Sequence, residues 1–250
     1  DRDSTTTEGF ITRLYQTCLL RQPDAAGLTY WQGQINSGAY NGSEIASYFF
    51  LGTEFAARNY TNEEYVERLY IALMGRDADR DGKQYWVQCL REGVSRRGLL
   101  DSFTQSREYG DICGQYGIVV GQVGVTESRD KKPDLTRFVN RLYTYVLGRA
   151  GEADGLNHWC GKGLNEGYSA YQLAENFVFS QEFEQRGHTD ESYVAVLYRA
   201  FMGREAEEGG LAYWVDQLQT GGKNRCEVLH GFAPCEEFLV ISRNLGLKPV

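Results

Sequence analysis

The sequence predicts an all-α fold of four helical repeats arranged as two pseudo-equivalent halves. Three observations carry this: a motif that recurs four times, apolar residues at helical spacing within each copy, and no convincing period-two strand pattern. The copies open with Phe10-Ile-Thr-Arg-Leu-Tyr15, Tyr65-Val-Glu-Arg-Leu-Tyr70, Phe138-Val-Asn-Arg-Leu-Tyr143 and Tyr193-Val-Ala-Val-Leu-Tyr198. Each then carries an aromatic or histidine followed by Trp31, Trp86, Trp159 or Trp214, and closes on Glu54, Glu108, Glu182 or Glu237. The Trp separations are 55, 73 and 55, so the copies are paired with an 18-residue excess in the middle. Half one therefore maps onto half two at an offset of 128. The expected organisation is a first repeat pair over 1–118, a linker over 119–134 and a second repeat pair over 135–250. The linker is Gly-containing, then charged, and ends at Pro133.

The first repeat shows the elements in order. Phe10, Leu14 and Cys18 share one helical face, and that helix ends near Arg21 because Pro23 cannot continue it. Asp24 is a good N-cap for a second helix through Tyr30, Trp31 and Ile35, stopped by Gly38. Ser43-Glu44 opens a third helix with Ile45, Phe49 and Phe50 apolar, and Thr53 marks a break before Glu54-Phe55. A short extended piece fits Ile118-Val-Val120. Gly161-Lys-Gly163 and Gly221-Gly-Lys223 read as turns at helix ends rather than phosphate loops.

Composition excludes several classes. The 250 residues are 42% hydrophobic and 24% charged, which suits packed cores rather than disorder. The net charge of -8 leaves no basic footprint for nucleic acid. No apolar run approaches the roughly 20 residues that span a bilayer. Asp1-Arg2-Asp3-Ser4-Thr5 lacks the regions of a signal peptide, so the expectation is a removed signal or a longer parent protein. The even count of six Cys fits disulfides in an exported protein, with six buried free thiols as the alternative.

The motif resembles a bacterial repeat family known only as a domain of unknown function (number 4214), related to phycobilisome linker domains. The resemblance rests on Arg141-Leu-Tyr143, Leu147-Gly-Arg149, Gly155-Leu156, Trp159 and Glu182-Phe183, with their counterparts in the other copies. It covers nearly the whole chain outside the linker and the first nine residues. Repeats three and four look like versions from exported proteins of gut bacteria. The resemblance implies an extracellular or cell-surface location, attached to adhesins or glycan-degrading enzymes. It implies no catalytic activity. The departures are Leu20 and Gln22 in repeat one, where the usual Gly before Arg21 is missing, and Val196, where the other copies have Arg.

Recurrence also sorts the candidate residues. Trp31, Trp86, Trp159 and Trp214 read as the central knob of each repeat's core, because a ligand site need not recur four times. Arg21, Arg76, Arg149 and Arg204 stand 33, 32, 33 and 33 residues before Glu54, Glu108, Glu182 and Glu237. This spacing predicts a bidentate pair within each repeat, fixing a turn. One carboxylate per repeat does not suit a glycosidase cleft. Asp77-Ala-Asp79-Arg-Asp81-Gly82 resembles the start of a calcium loop, but Gln88 stands where an EF-hand needs Glu, so Asp79 is read as an N-cap. His158, His188 and His230 make no zinc spacing. No metal, cofactor or catalytic group is expected.

The cysteines suggest three bridges. Cys226 and Cys235 lie about 13 Å apart along a straight helix, too far to join unless Pro234 folds the chain back. Cys89 ends a helix and Cys113 lies near the close of half one, which makes a second pair. Cys18 and Cys160 would then link the halves.

What remains is a surplus of aromatic residues outside the motif. Tyr40 and Tyr168 are equivalent in the loop between helices two and three, and Tyr171 lies nearby in sequence. With Asn41, Asn157 and His158 as polar neighbours, they are the candidate ligand-binding residues. The expected function is a non-catalytic, secreted or surface binding module, with a glycan as leading partner. The alternatives are an adhesin region that binds a host protein such as mucin or immunoglobulin, or a structural spacer.

Overall fold

A computed structural model describes residues 6–248. The N-terminal residues 1–5, read above for a signal peptide, lie outside the described residues. Every regular element among the described residues is helical. The chain forms two compact units that divide between Thr126 and Glu127.

The first unit begins with helices Thr7–Leu19, Ala25–Asn36, Gly42–Leu51 and the single turn Thr53–Ala56. The second repeat follows with Asn62–Leu69, Arg80–Arg91, Arg96–Thr104 and Arg107–Gln115. The second unit contains Pro133–Arg141, Ala153–Glu166, Ala170–Val178 and Gln181–Glu184. Its second repeat contains Asp190–Leu197, Glu208–Gln219, Arg225–Phe232 and Glu236–Asn244. Caps explain most of the starts. Asp24 accepts from Gly27 N at 2.7 Å, and Asp79 from Gly82 N at 2.8 Å. Asn41 with Glu44, Thr61 with Glu64, Ser169 with Gln172 and Asn224 with Glu227 form reciprocal capping boxes. The third helix thus starts at Gly42 under an Asn41 cap, one residue before the expected opening.

The opening helix of repeats two, three and four widens at its end into a π turn, over Tyr70–Met74, Leu142–Leu147 and Tyr198–Met202. Each turn closes on a left-handed glycine: Gly75, Gly148 or Gly203. In the first repeat Leu20 holds the same place at φ 54° and ψ 36°, and its side chain lies exposed. The fold keeps the geometry where the sequence lacks the glycine that suits it. The π turns also leave carbonyls for side chains. Arg13, buried, donates through Nε to Ala72 O at 2.9 Å, and Arg141 reaches Ala200 O at 3.4 Å. Each bond ties the opening helix of one repeat to that of its partner.

Each unit has its own apolar core. The first is built around Phe10, Leu14, Trp31, Phe49, Tyr65 and Phe103, and the second around Phe138, Leu142, Phe177, Tyr193, Phe201 and Phe232. Three expectations are corrected. Ile118–Val120 forms no strand, although Gly42 N and Ser43 N donate to Val119 O and Val120 O at 2.8 and 2.7 Å. The stretch expected as a linker is held down at both ends. Gln105 Nε2 donates to Gly121 O on the first unit, while the turn Ser128–Lys131 is fixed to Asn157 on the second. Gly161 and Gly163 lie inside helix Ala153–Glu166, which ends only at Gly167.

The three expected disulfides are not formed: all six cysteines are free thiols. Cys89 and Cys113 are each buried in packing of their own, and Cys113 hydrogen-bonds Tyr109. Cys18 and Cys160 are buried in the separate cores, the latter 3.5 Å from Thr136 Oγ1. Cys226 sits on helix Arg225–Phe232, and Cys235 becomes the N-cap of the next helix. Burial pushes the Cys113 and Cys160 thiols up to about 11, which suppresses the reactive thiolate.

Candidate functional site

The recurring charged pair forms in all four repeats as a two-pronged clamp. Arg21 Nε and Nη2 donate to the two oxygens of Glu54 at 2.9 and 3.1 Å. The matching distances are 2.6 and 2.8 Å for Arg76–Glu108, 2.8 and 3.2 Å for Arg149–Glu182, and 2.8 and 2.7 Å for Arg204–Glu237. The hydrogen bond from Arg is the largest cause that holds each of these carboxyls below its ordinary value. Each guanidinium also lies over a motif tyrosine, with ring centres at 4.7, 4.9, 5.0 and 5.3 Å for Tyr15, Tyr70, Tyr143 and Tyr198.

The same tyrosines explain the motif glycine. A Cβ at Gly27, Gly82 or Gly210 would stand 2.7, 2.5 or 2.5 Å from the hydroxyl oxygen of Tyr15, Tyr70 or Tyr198. One at Gly155 would collide with Tyr143 in the same way. The tyrosine ring then meets Phe49, Phe103, Phe177 or Phe232 edge-on, at centroid distances of 5.0, 5.0, 4.9 and 5.1 Å. Each Trp packs on that same Phe, at 5.5, 5.3, 5.1 and 5.3 Å. Arg, Glu, Tyr, Gly, Phe and Trp thus form one internal device per repeat. Trp31 is fully buried, whereas Trp86, Trp159 and Trp214 keep part of their surface exposed.

The predicted ligand residues divide between structural work and one exposed cluster. Asn41 spends its side chain on the cap of the third helix. Asn157 accepts from Arg129 N at 3.1 Å and donates to Glu127 at 3.0 Å. Tyr171 is buried in helix Ala170–Val178 and stacks on His230 at 4.9 Å, so it is not a loop residue. Tyr168 does lie in the loop, with Lys162 Nζ 5.3 Å from its ring centre. His158 is exposed and meets Trp159 edge-on at 5.0 Å.

Tyr40 belongs to the exposed cluster. Its ring stands edge-on to Trp31 at 5.6 Å, beside Tyr30 at 5.2 Å and Tyr48 at 4.8 Å from the same indole. Tyr30 and Tyr48 are 49% and 60% exposed. A side-chain hydrogen bond joins Tyr30 to Tyr40 and raises the Tyr30 phenol. Three tyrosines from two helices and a loop are therefore held around one buried indole. At the equivalent positions the second unit has His158, Tyr168 and Asn176, a more polar set. Tyr48 was not singled out from the sequence. The available signal was its place just before Phe49, about 100° off the buried face.

An open groove beside Tyr48 has a volume of about 350 Å³ and is bounded by Ser47, Phe49 and Glu54. The Oγ of Ser47 is buried without a hydrogen-bond partner among the described residues. Among the described residues, no group of three or more His, Cys, Asp or Glu is placed to hold a metal ion. No helix among them is long and apolar enough to cross a membrane.

A four-repeat helical protein with this Arg–Glu–Tyr–Gly device defines a class, and the family comparison agrees with it. The domain of unknown function DUF4214 matches the chain four times, over residues 2–59, 46–112, 125–186 and 174–240. The chain belongs to that family. None of the curated proteins matches it.

Proposed function

We propose that this chain is a non-catalytic glycan-binding module of a bacterial surface or secreted protein. The supporting observation is the Tyr30–Tyr40–Tyr48 cluster around Trp31. Flat aromatic faces fixed by packing present C–H-stacking area at little entropic cost, and their hydroxyls supply hydrogen bonds at the rim. The neighbouring groove offers the Glu54 carboxylate as an acceptor for sugar hydroxyls. The acidic net charge favours neutral over polyanionic glycans. Surface location rests on the family resemblance and not on the cysteines, which form no bridges.

A glycan array run beside a pull-down from mucus or serum tests the reading. Neutral oligosaccharides should bind, and the Tyr30→Ala/Tyr48→Ala variant should lose about tenfold or more in affinity while keeping its helical spectrum. Silence on the array together with capture of a serum or mucus protein would replace this reading with the adhesin one. Silence in both would favour a spacer.

A further inference from the structure

Each unit has a groove where the opening helices of its two repeats meet, and the two grooves differ in what fills them. In the first unit the groove is bounded by Arg13, Gln16, Thr17 and Arg68, with a volume of about 270 Å³. The Arg68 guanidinium lies 3.6 Å from the ring centre of Tyr60 and donates to Glu64 O. Lys83 pairs with Glu67 next to it, and Arg91 pairs with Glu63 at 2.5 Å. Tyr60 hydrogen-bonds Cys18 O at 3.2 Å. The Arg58 guanidinium donates to Leu19 O. Every charged group mentioned here has an internal partner.

At the 128-residue offset the second unit replaces the filling. Val196 stands for Arg68, Ala195 and Leu211 for the Glu67–Lys83 pair, His188 for Tyr60, and Gln219 for Arg91. The result is a cleft of about 500 Å³. It is open to solvent and lined on one side by Val196, Ala195 and Leu211. Arg186, the counterpart of Arg58, lies against Gly148 and makes no ion pair among the described residues; Glu182, whose charge it senses, is already held by Arg149. Arg199 pairs with Glu205 through its Nε alone. Glu191 has lost the arginine that its counterpart Glu63 holds. His188 stacks on Phe183 at 4.7 Å, and its Nε2 has no hydrogen-bond partner among the described residues. The cleft thus holds a cation and a carboxylate that make no ion pair among the described residues, the hydroxyl of Thr144, and an apolar wall.

We infer that this cleft is a binding site for a sugar acid, with the sugar carboxylate on Arg186 and ring hydroxyls donating to Glu191. A guanidinium without a carboxylate is the group that selects an anion. Glu191 in the same cleft lining disfavours bare anions and rewards a ligand that also brings hydroxyl donors. The apolar wall suits the C–H face of a ring. This site is separate from the tyrosine cluster, which lies in the first unit and is assigned to neutral glycans.

The test is calorimetry on the full chain with sodium D-glucuronate, D-glucose, acetate and inorganic phosphate as probes. Glucuronate should bind at least about tenfold more tightly than the other three. Arg186→Gln should weaken glucuronate by about tenfold and leave glucose unchanged. Val196→Arg should refill the groove as Arg68 does and abolish glucuronate binding. Tyr30→Ala/Tyr48→Ala should leave glucuronate binding intact, which separates this site from the neutral-glycan one. Equal binding of glucuronate and glucose, or of glucuronate and phosphate, would overturn the inference. So would no binding, or unchanged glucuronate binding in a folded Arg186→Gln.

Discussion

At the residue scale, the four Arg–Glu clamps are the best test of what side chains contribute. Both partners of Arg76–Glu108 are more than a third exposed, so water screens much of the attraction. Glu108→Gln should cost about 0.5–1 kcal/mol at neutral pH, read by urea denaturation. The sign of the pH dependence follows from the lowered carboxyl. Its folded-state pKa lies below the ordinary 4.5, so the stabilisation is complete above that value and fades as pH falls through the folded one. The gap between wild type and Glu108→Gln should therefore close on acidification; a gap that stays constant to pH 3 would contradict the pairing. Gly155→Ala should cost about 1–3 kcal/mol, because the new methyl meets Tyr143. That penalty should shrink in a Tyr143→Phe background, which a double-mutant cycle would detect. Leu20→Gly should do the reverse and stabilise by about 0.5–1 kcal/mol, since it relieves a left-handed non-glycine. Recurrence made the clamps legible in the sequence, whereas the sequence alone could not show that a tyrosine hydroxyl is what forbids a side chain at the motif glycine.

At the scale of elements, helix number and order follow from local signals. Asp24, Thr61 and Asp79 cap where short-range chemistry says they should, because a cap needs only its own next three residues. The π turns were not legible. They insert residues without breaking apolar spacing enough to be noticed, and their use appears only when Arg13 and Arg141 reach the carbonyls they expose. Gly161 and Gly163 misled for a related reason. Glycine marks a helix end only when packing does not carry the helix past it, and here Leu156, Cys160 and Gly163 are buried on one face. The cysteines form none of the expected bridges. Cys226 and Cys235 are the two with solvent access. Alkylation of the native protein should label these two within minutes and the other four only after unfolding; uniform labelling would contradict the burial of Cys18, Cys89, Cys113 and Cys160.

At the scale of the whole molecule, two compact units with separate cores predict separable folding. Residues 1–126 and 127–250, produced alone, should each be helical and melt cooperatively by circular dichroism. A fragment that gives no cooperative transition would mean that its core needs the other unit. The sequence by itself determined the all-α class, the four repeats, the helix order and the four charged clamps. Each of these is written in local spacing or in repetition, and repetition averages away the noise of any single copy. Tertiary structure decided the rest. It spent Asn41, Asn157 and Tyr171 on caps, ties and core, and it brought Tyr48 beside Tyr30 and Tyr40. It also made an open cleft where Val196, Ala195 and Leu211 stand in place of Arg68, Glu67 and Lys83. These outcomes depend on which side chains meet across helices, and a meeting of residues distant in sequence leaves no period or spacing to read.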